Sequence, residues 1–458
     1  MVSYRLGREA SGFAKPKTTT NTMKLRILPL AASLALAASI LHAEPAPAPD
    51  VKAAPAEAEK PADLPPPKPL GDPVKNGLAW LAKAQNADGG WGQGGGWRIN
   101  VQGDGSTGRV EGAEVPDPSD IGNTSIALQA FLRAGTKLDT GEHSQTAAKA
   151  AAFLLKQLEA DQEDSLYVSK LRDTQLQSKI GRYVDTFLAA QILADLKGCF
   201  PDPADEARRA KQLDRIVAKI QKHQQDDGAF AGNNGWASTL SQGICSRSLN
   251  TAWAAGAKVD LAALEKDHLQ NAVGLDRQSG VVASEGAADA GVEIYRYASK
   301  VGGMTYFANN NSTRRAELDE KLASPAASPK EQEEAKKEIE KIDKADADQK
   351  VLLKAVAERA KDEKFVGGFG NHGGEEFISY MNIGEALRIQ GGDEWKNWDE
   401  SMTKTLHTAQ NADGSWAGQH CITGRTFCTA SALMVLMTDR APAPLVARND
   451  AGKKPDDK

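Results

Sequence analysis

Aromatic residues make up only 6% of this 458-residue chain, and its cysteines number four. The first shortage leaves few rings to wall a large apolar cavity. The second allows at most two disulfides and, with no CxxC pair, gives no cysteine-built zinc knot. Charge of one sign is also lacking: 56 Lys and Arg face 61 Asp and Glu, a net of -5, so nothing in the balance favours a nucleic-acid partner. Beyond residue 43 no run is apolar and long enough to span a bilayer, and no stretch of length alternates with period two, so strands are expected to be rare.

What is present begins with an export pattern. In MKLRILPLAASLALAASILHA, residues 23–43, Lys24 and Arg26 precede a short Ala-rich apolar run, as in a signal peptide cleaved near Ala43. Residues 1–22 either extend its charged region or precede a true start at Met23; the second reading is favoured. Residues 44–73 are Pro/Ala-rich and read as an extended tether. The expected location is periplasmic or secreted, which makes disulfides permissible. Cys421 and Cys428 lie closest in sequence, and a bond between them and two buried free thiols stay as open alternatives. Residues 441–458 form a polar tail.

The folded part repeats itself. QNADGGW at Gln85–Trp91 returns as QNADGSW at Gln410–Trp416 and, more loosely, as QQDDGAF at Gln224–Phe230. An apolar pattern at helical spacing precedes each copy, so a helix should end at the Gln. The Asp-Gly that follows supplies turn chemistry, with Gly89, Gly228 and Gly414 reversing the chain. The ring of Trp91, Phe230 or Trp416 is then expected to pack on the helix just ended, while the Gln amide ties the turn. A second repeat, LQAFLRAGTKLD at 128–139 and LNTAWAAGAKVD at 249–260, again closes a helix at a glycine. A charged block at 313–364, rich in runs such as KEQEEAKKEIEKI, lengthens the interval between the second and third turns. It reads as an insert, a solvated helical hairpin broken near Pro325 and Pro329. Setting it aside leaves room for about six helical pairs of 45 to 50 residues, enough to close a ring.

GLAWLAKAQNADGGWG and LHTAQNADGSWAG resemble the QW motif of the prenyltransferase and squalene oxidase repeat superfamily, which includes squalene-hopene cyclases and protein prenyltransferase β subunits. The resemblance implies an all-α fold, an α/α toroid of about six hairpins over 74–440, in which the motif fastens outer helices and has no catalytic part. It also implies two chemistries that this sequence does not carry. There is no DxDD segment to protonate an alkene, and no Asp-x-Cys to hold zinc.

In a toroid the inner helices begin at one rim, where their dipoles favour acidic and polar groups. Segments that read as such starts carry Asp120, Asp185, Glu375 and Glu376, candidates for acid–base catalysis or for plain helix capping. His372 and Tyr380 accompany the glutamates as candidate ligand contacts, and His420 lies just ahead of Cys421. Arg247 and Arg425 each stand near the head of an apolar helix. Either they face one cavity and bind an anion, or each pairs with a nearby acid. His372, His420 and Glu376 are residue types that zinc accepts, but their spacing is not diagnostic, and no metal or cofactor is expected. The resulting expectation is an exported toroid handling a hydrophobic or isoprenoid-like ligand without the family's two chemistries. Its rivals are a divergent cyclase or polymer-active lyase or hydrolase using rim carboxylates, and a non-catalytic scaffold; protein partners are not readable.

Overall fold

The computed structural model describes residues 66–99, 107–109, 116–370 and 372–442, all within one unit, Ala54–Lys458. The signal peptide and its cleavage point, the region before it, the tether up to residue 65 and the tail from 443 lie outside the described residues. α1 (Asp72–Ala84) starts on Pro73, a residue suited to a first helical turn, so the helix begins slightly inside the span read as tether. A small antiparallel pair follows, β1 (Trp97–Ile99) with β2 (Thr107–Arg109). Then come α2 (Ile121–Arg133), α3 (Ser144–Ala160), a short α4 (Gln175–Ile180), α5 (Val184–Asp195), α6 (Pro203–His223), α7 (Ser238–Ala254) and α8 (Leu261–Ala272). The chain ends with α9 (Glu293–Ala323), α10 (Pro329–Arg359), a short α11 (Glu363–Val366), α12 (Gly374–Gln390), α13 (Gly392–Ala409) and α14 (Arg425–Leu436).

Helix α2 packs on α5, α5 on α7, α7 on α9, α9 on α12, α12 on α14, and α14 back on α2. These six form a closed inner ring, with α1, α3, α6, α8, α10 and α13 outside it: the fold is an α/α toroid. The division follows from sequence. α5 and α12 are buried on almost every face, as inner helices must be, whereas α6 and α13 bury a stripe only. Because outer and inner helices alternate along the chain, all inner helices run the same way and start at one rim.

The repeated turns lock the outer layer. Gln85 Nε2 donates to Gly89 O (2.8 Å) and to Thr146 O on α3 (2.9 Å). Gln410 Nε2 donates to Gly414 O (2.8 Å) and to Pro73 O on α1 (2.9 Å), and Gln224 Nε2 to Ala263 O on α8 (3.1 Å). Each amide therefore joins the end of one outer helix to the next, and the bond from Gln410 closes the circle. Trp91 and Trp416 are fully buried, and their indole N–H groups donate back to Leu81 O (2.9 Å) and Leu406 O (2.8 Å) on the helix just completed. Gly89, Gly228 and Gly414 hold φ near +90°, and a Cβ on any of them would strike the carbonyl of Lys149, Lys266 or Asn76.

The charged block is not an insert. Its first part extends the inner helix α9 to Ala323, and its second part is α10, the fifth outer helix, which buries Ala335, Ile342, Ala345, Leu352, Leu353 and Val356. Those residues recur three, four or seven apart, a stripe too narrow to stand out among the surrounding Lys and Glu. The break near Pro325 and Pro329 is where it was expected, with Ser328 and Glu331 forming a capping box.

Candidate functional site at the amino-terminal rim

Two acidic groups sit where the inner helices begin. Asp120 caps α2, accepting from Asn123 N (2.7 Å) and Asn123 Nδ2 (2.8 Å). Asp185, in the first turn of α5, accepts from Gln177 Nε2 (2.8 Å) through Oδ2, while its buried Oδ1 has no partner in the protein. Both flank Gly122, whose missing side chain makes room for them. Burial raises both carboxyls, and for Asp120 the neighbouring Asp185 adds to the effect. Burial beside a second carboxyl favours the protonated form of Asp120.

Helix α4 lies across the rim above them. Gln175 Oε1 accepts from Thr423 N and Gly424 N (both 3.1 Å) at the head of α14, while Ser178 O and Lys179 O accept from Trp236 N and Ala237 N at the head of α7.

The second group gathers Glu375, Glu376 and His420, one oxygen or nitrogen of each within 4.8 Å of the others. Glu376 Oε1 accepts from the Tyr295 hydroxyl and from Phe369 N (3.1 Å). Its Oε2 accepts from Gly373 N (2.9 Å) and lies 3.3 Å from His420 Nε2. Glu375 Oε2 accepts from Ile422 N (3.2 Å), but Oε1 is buried and without a partner. Burial pushes the Glu375 carboxyl up to about 8, with Glu376 reinforcing the shift. The neutral acid is thus the form held at neutral pH. Trp236, Tyr295, Phe369 and His420 make an adjoining run of ring contacts, and Phe369 is 55% exposed. Cys421, next to His420, is held at φ 49°, a left-handed conformation that costs a non-glycine residue strain.

The donor set of Glu375, Glu376 and His420 is one a divalent metal accepts. The lone pairs of Glu376, however, are already taken up by three donors and the facing His420, so a metal there would have to displace backbone bonds. The set fits proton chemistry better than coordination.

The remaining candidates are dispersed. His372 borders the group, its Nδ1 3.3 Å from Tyr380 Oη, and burial lowers its pKa. Tyr380 instead donates to Val366 O (2.8 Å) and packs against Trp398 of the outer helix α13. Arg247 and Arg425 share no cavity. Arg425 pairs with Asp413 of the third turn (2.9 Å), and Arg247 lies deep in the ring against Glu385 (2.9 Å). The Cys421–Cys428 bond is not formed. All four cysteines are free thiols, and Cys428 on the inner helix directs its sulfur to Ile422 O (3.4 Å). Sequence reading missed Tyr295, Trp236, Phe369 and Gln177, which stand at no repeat or motif. The one available signal was an aromatic or amide near the start of each helical run.

Below the rim a charged network crosses the ring. Glu385 of α12 meets Arg133 of α2 (2.6 Å), Arg247 of α7 and the Tyr306 hydroxyl of α9 (2.8 Å). Burial would raise Glu385, but the two guanidinium groups prevail and hold it below the usual range. The lining is charged and hydrogen-bonded rather than apolar.

No protein-family model matches the chain, and no curated protein matches it. Among solved structures it is similar to an inactive variant of an α-1,6-mannanase of Salegentibacter sp. in complex with α-1,6-mannotriose. The TM-score is 0.49 and the identity 10%, over 81% of this chain and 98% of that one. It is also similar to a type II terpene cyclase from Scytonema, with TM-score 0.27 and 12% identity over 80% and 97%. At these values neither likeness bears on the activity of this chain. Among the described residues no helix is long and apolar enough to cross a membrane.

Proposed function

We propose that the chain is an enzyme of the hydrolase or lyase type that cleaves a polar polymer, a glycan, at the amino-terminal rim. The observation that carries this is the unequal treatment of two adjacent carboxyls. Glu375 keeps one oxygen free of partners and its proton on at neutral pH, while Glu376 is wholly engaged as an acceptor. Glu375 is the general acid, and Glu376 with Tyr295 and His420 forms the accepting side. Trp236 and the exposed Phe369 offer flat surfaces for sugar rings. Glu375 is fully buried, with Ile422 N on one of its oxygens, so substrate contact calls for movement of the segment around Ile422. Export to the periplasm or outside the cell, directed by residues 23–43, fits a polymer substrate, and the three turns serve as QW fasteners.

The hydrophobic or isoprenoid ligand is the second reading, favoured by the exposed ring of Phe369 and disfavoured by the charged lumen. One experiment separates the two. The purified chain is incubated with mannan, xylan, pectin and alginate while reducing ends and unsaturated products are followed from pH 5 to 9. Cleavage of one of them, falling above about pH 8 as Glu375 loses its proton and lost in Glu375→Gln, is the expected result. An inert chain that co-purifies with a polyprenyl lipid would replace the first reading with the second.

A further inference from the structure

Outside the inner ring, between α7, α8 and α9, lies a partly open cavity of about 180 Å³. Its place follows from the repeat. The turn glycines Gly89, Gly228 and Gly414 abut Lys149, Lys266 and Asn76. One helical turn further on, Phe153, Gln270 and Trp80 are therefore equivalent. Two of the three are aromatic, and Phe153 is packed to 4% exposure against the first turn. The third is a glutamine and borders this cavity, while Trp80 borders an open pocket of its own beside the third turn.

The lining is polar and already arranged. Lys300 is only 3% exposed, and its ammonium pairs with Glu285 at 2.6 Å, so the charges cancel. Gln242, Gln270 and Asn271 contribute amides, Ser299 a hydroxyl and Phe230 a ring. Behind them, Gln242 Nε2 donates to Asp267 Oδ1 (2.9 Å) and Asn271 Nδ2 to Ser246 Oγ (2.7 Å), which fixes the amides in place. Gln242 Nε2, Asn271 Nδ2 and the Ser299 hydroxyl already have partners within the protein. That leaves the Gln270 amide and the amide oxygens of Gln242 and Asn271 to meet a guest, and the one cation of the lining is paired with Glu285. A molecule with hydroxyls on every edge, each both donor and acceptor, satisfies the amides and can rest an apolar face on Phe230. We propose that this cavity binds a neutral, cyclic, polyhydroxylated molecule of monosaccharide size. The inference stands on the cavity's own lining and is independent of the rim chemistry.

The test is calorimetric titration of the full chain with glucose, mannose and myo-inositol. Saturable one-to-one binding of at least one of them is expected, together with a loss of about tenfold or more in Gln270→Phe, the substitution that restores an aromatic at this place. The variant should keep its helical circular dichroism and a thermal midpoint at or above that of the parent, because it fills a void. If Gln270→Phe does not fold, Gln270→Leu is measured in its place, with the same loss expected. Failure of all three probes to bind, or unchanged binding in the folded variant, overturns the proposal.

Discussion

Gln410 and Trp416 stand within one turn yet hold different things. The amide reaches across to α1 and the indole reaches back to α13. Trp416→Ala should cost about 3–5 kcal/mol, as truncation of a fully buried large side chain does, and Gln410→Ala about 1–3 kcal/mol for its stranded carbonyls. Both would be read from urea midpoints, and equal effects would mean that the amide is no mere tie. At the rim, Glu375→Gln should lower turnover by about 10²–10⁴-fold. The same variant should gain stability relative to the parent at high pH. A carboxyl whose folded pKa is raised to about 8 favours folding fully below its unfolded value near 4.3, and that contribution is lost as pH rises through about 8. The neutral amide has no such loss.

At the scale of single elements, α8 carries a second titrating group. Burial pushes Asp267 up to about 7, against hydrogen bonds from Ser246 and Gln242. Its contribution is whole below about pH 4 and is shed by about pH 7, up to about 4 kcal/mol by linkage. Asp267→Asn should flatten the decline in urea midpoint between pH 5 and pH 7; a parallel decline would show that Asp267 does not titrate there. Helix α10 teaches a different lesson. Its buried residues keep helical spacing, but they are spread over 31 residues dominated by Lys and Glu. A long outer helix touches the ring along one narrow line, so its composition resembles that of a solvated helix. Ion pairs such as Arg314 with Glu338 (3.2 Å) and Lys341 with Glu265 of α8 (3.6 Å) then bind it to its neighbours.

For the whole molecule, the decisive feature is what crosses the ring. Arg133, Arg247, Tyr306 and Glu385 come from four helices and meet far from one another in sequence. Glu385→Ala would leave two buried guanidinium groups without their carboxylate and should cost about 3–5 kcal/mol. Chemical denaturation would check this, and a change under about 1 kcal/mol would mean that water reaches the site and screens it. This network ties the inner helices to one another, and the unpartnered carboxyl oxygens of Asp185 and Glu375 lie at the rim.

The sequence by itself determined the all-helical ring and the three turns that stop its helices, but its count of hairpins left out α10. Those depend on short-range periodicity and on local turn chemistry at Gln85, Gln224 and Gln410, which a linear pattern records. It also marked Asp120, Asp185, Glu375, Glu376 and His420 as residues near helix starts. Only the tertiary structure decided how they group: the aspartates with each other, the glutamates with His420 and Tyr295, Arg247 inward and Arg425 outward. The same is true of α10's place in the outer wall and of the cavity beside Gln270. Such groupings depend on which helix faces which around a closed ring, and on how much water is excluded there. Neither is encoded in the spacing of residues along one chain.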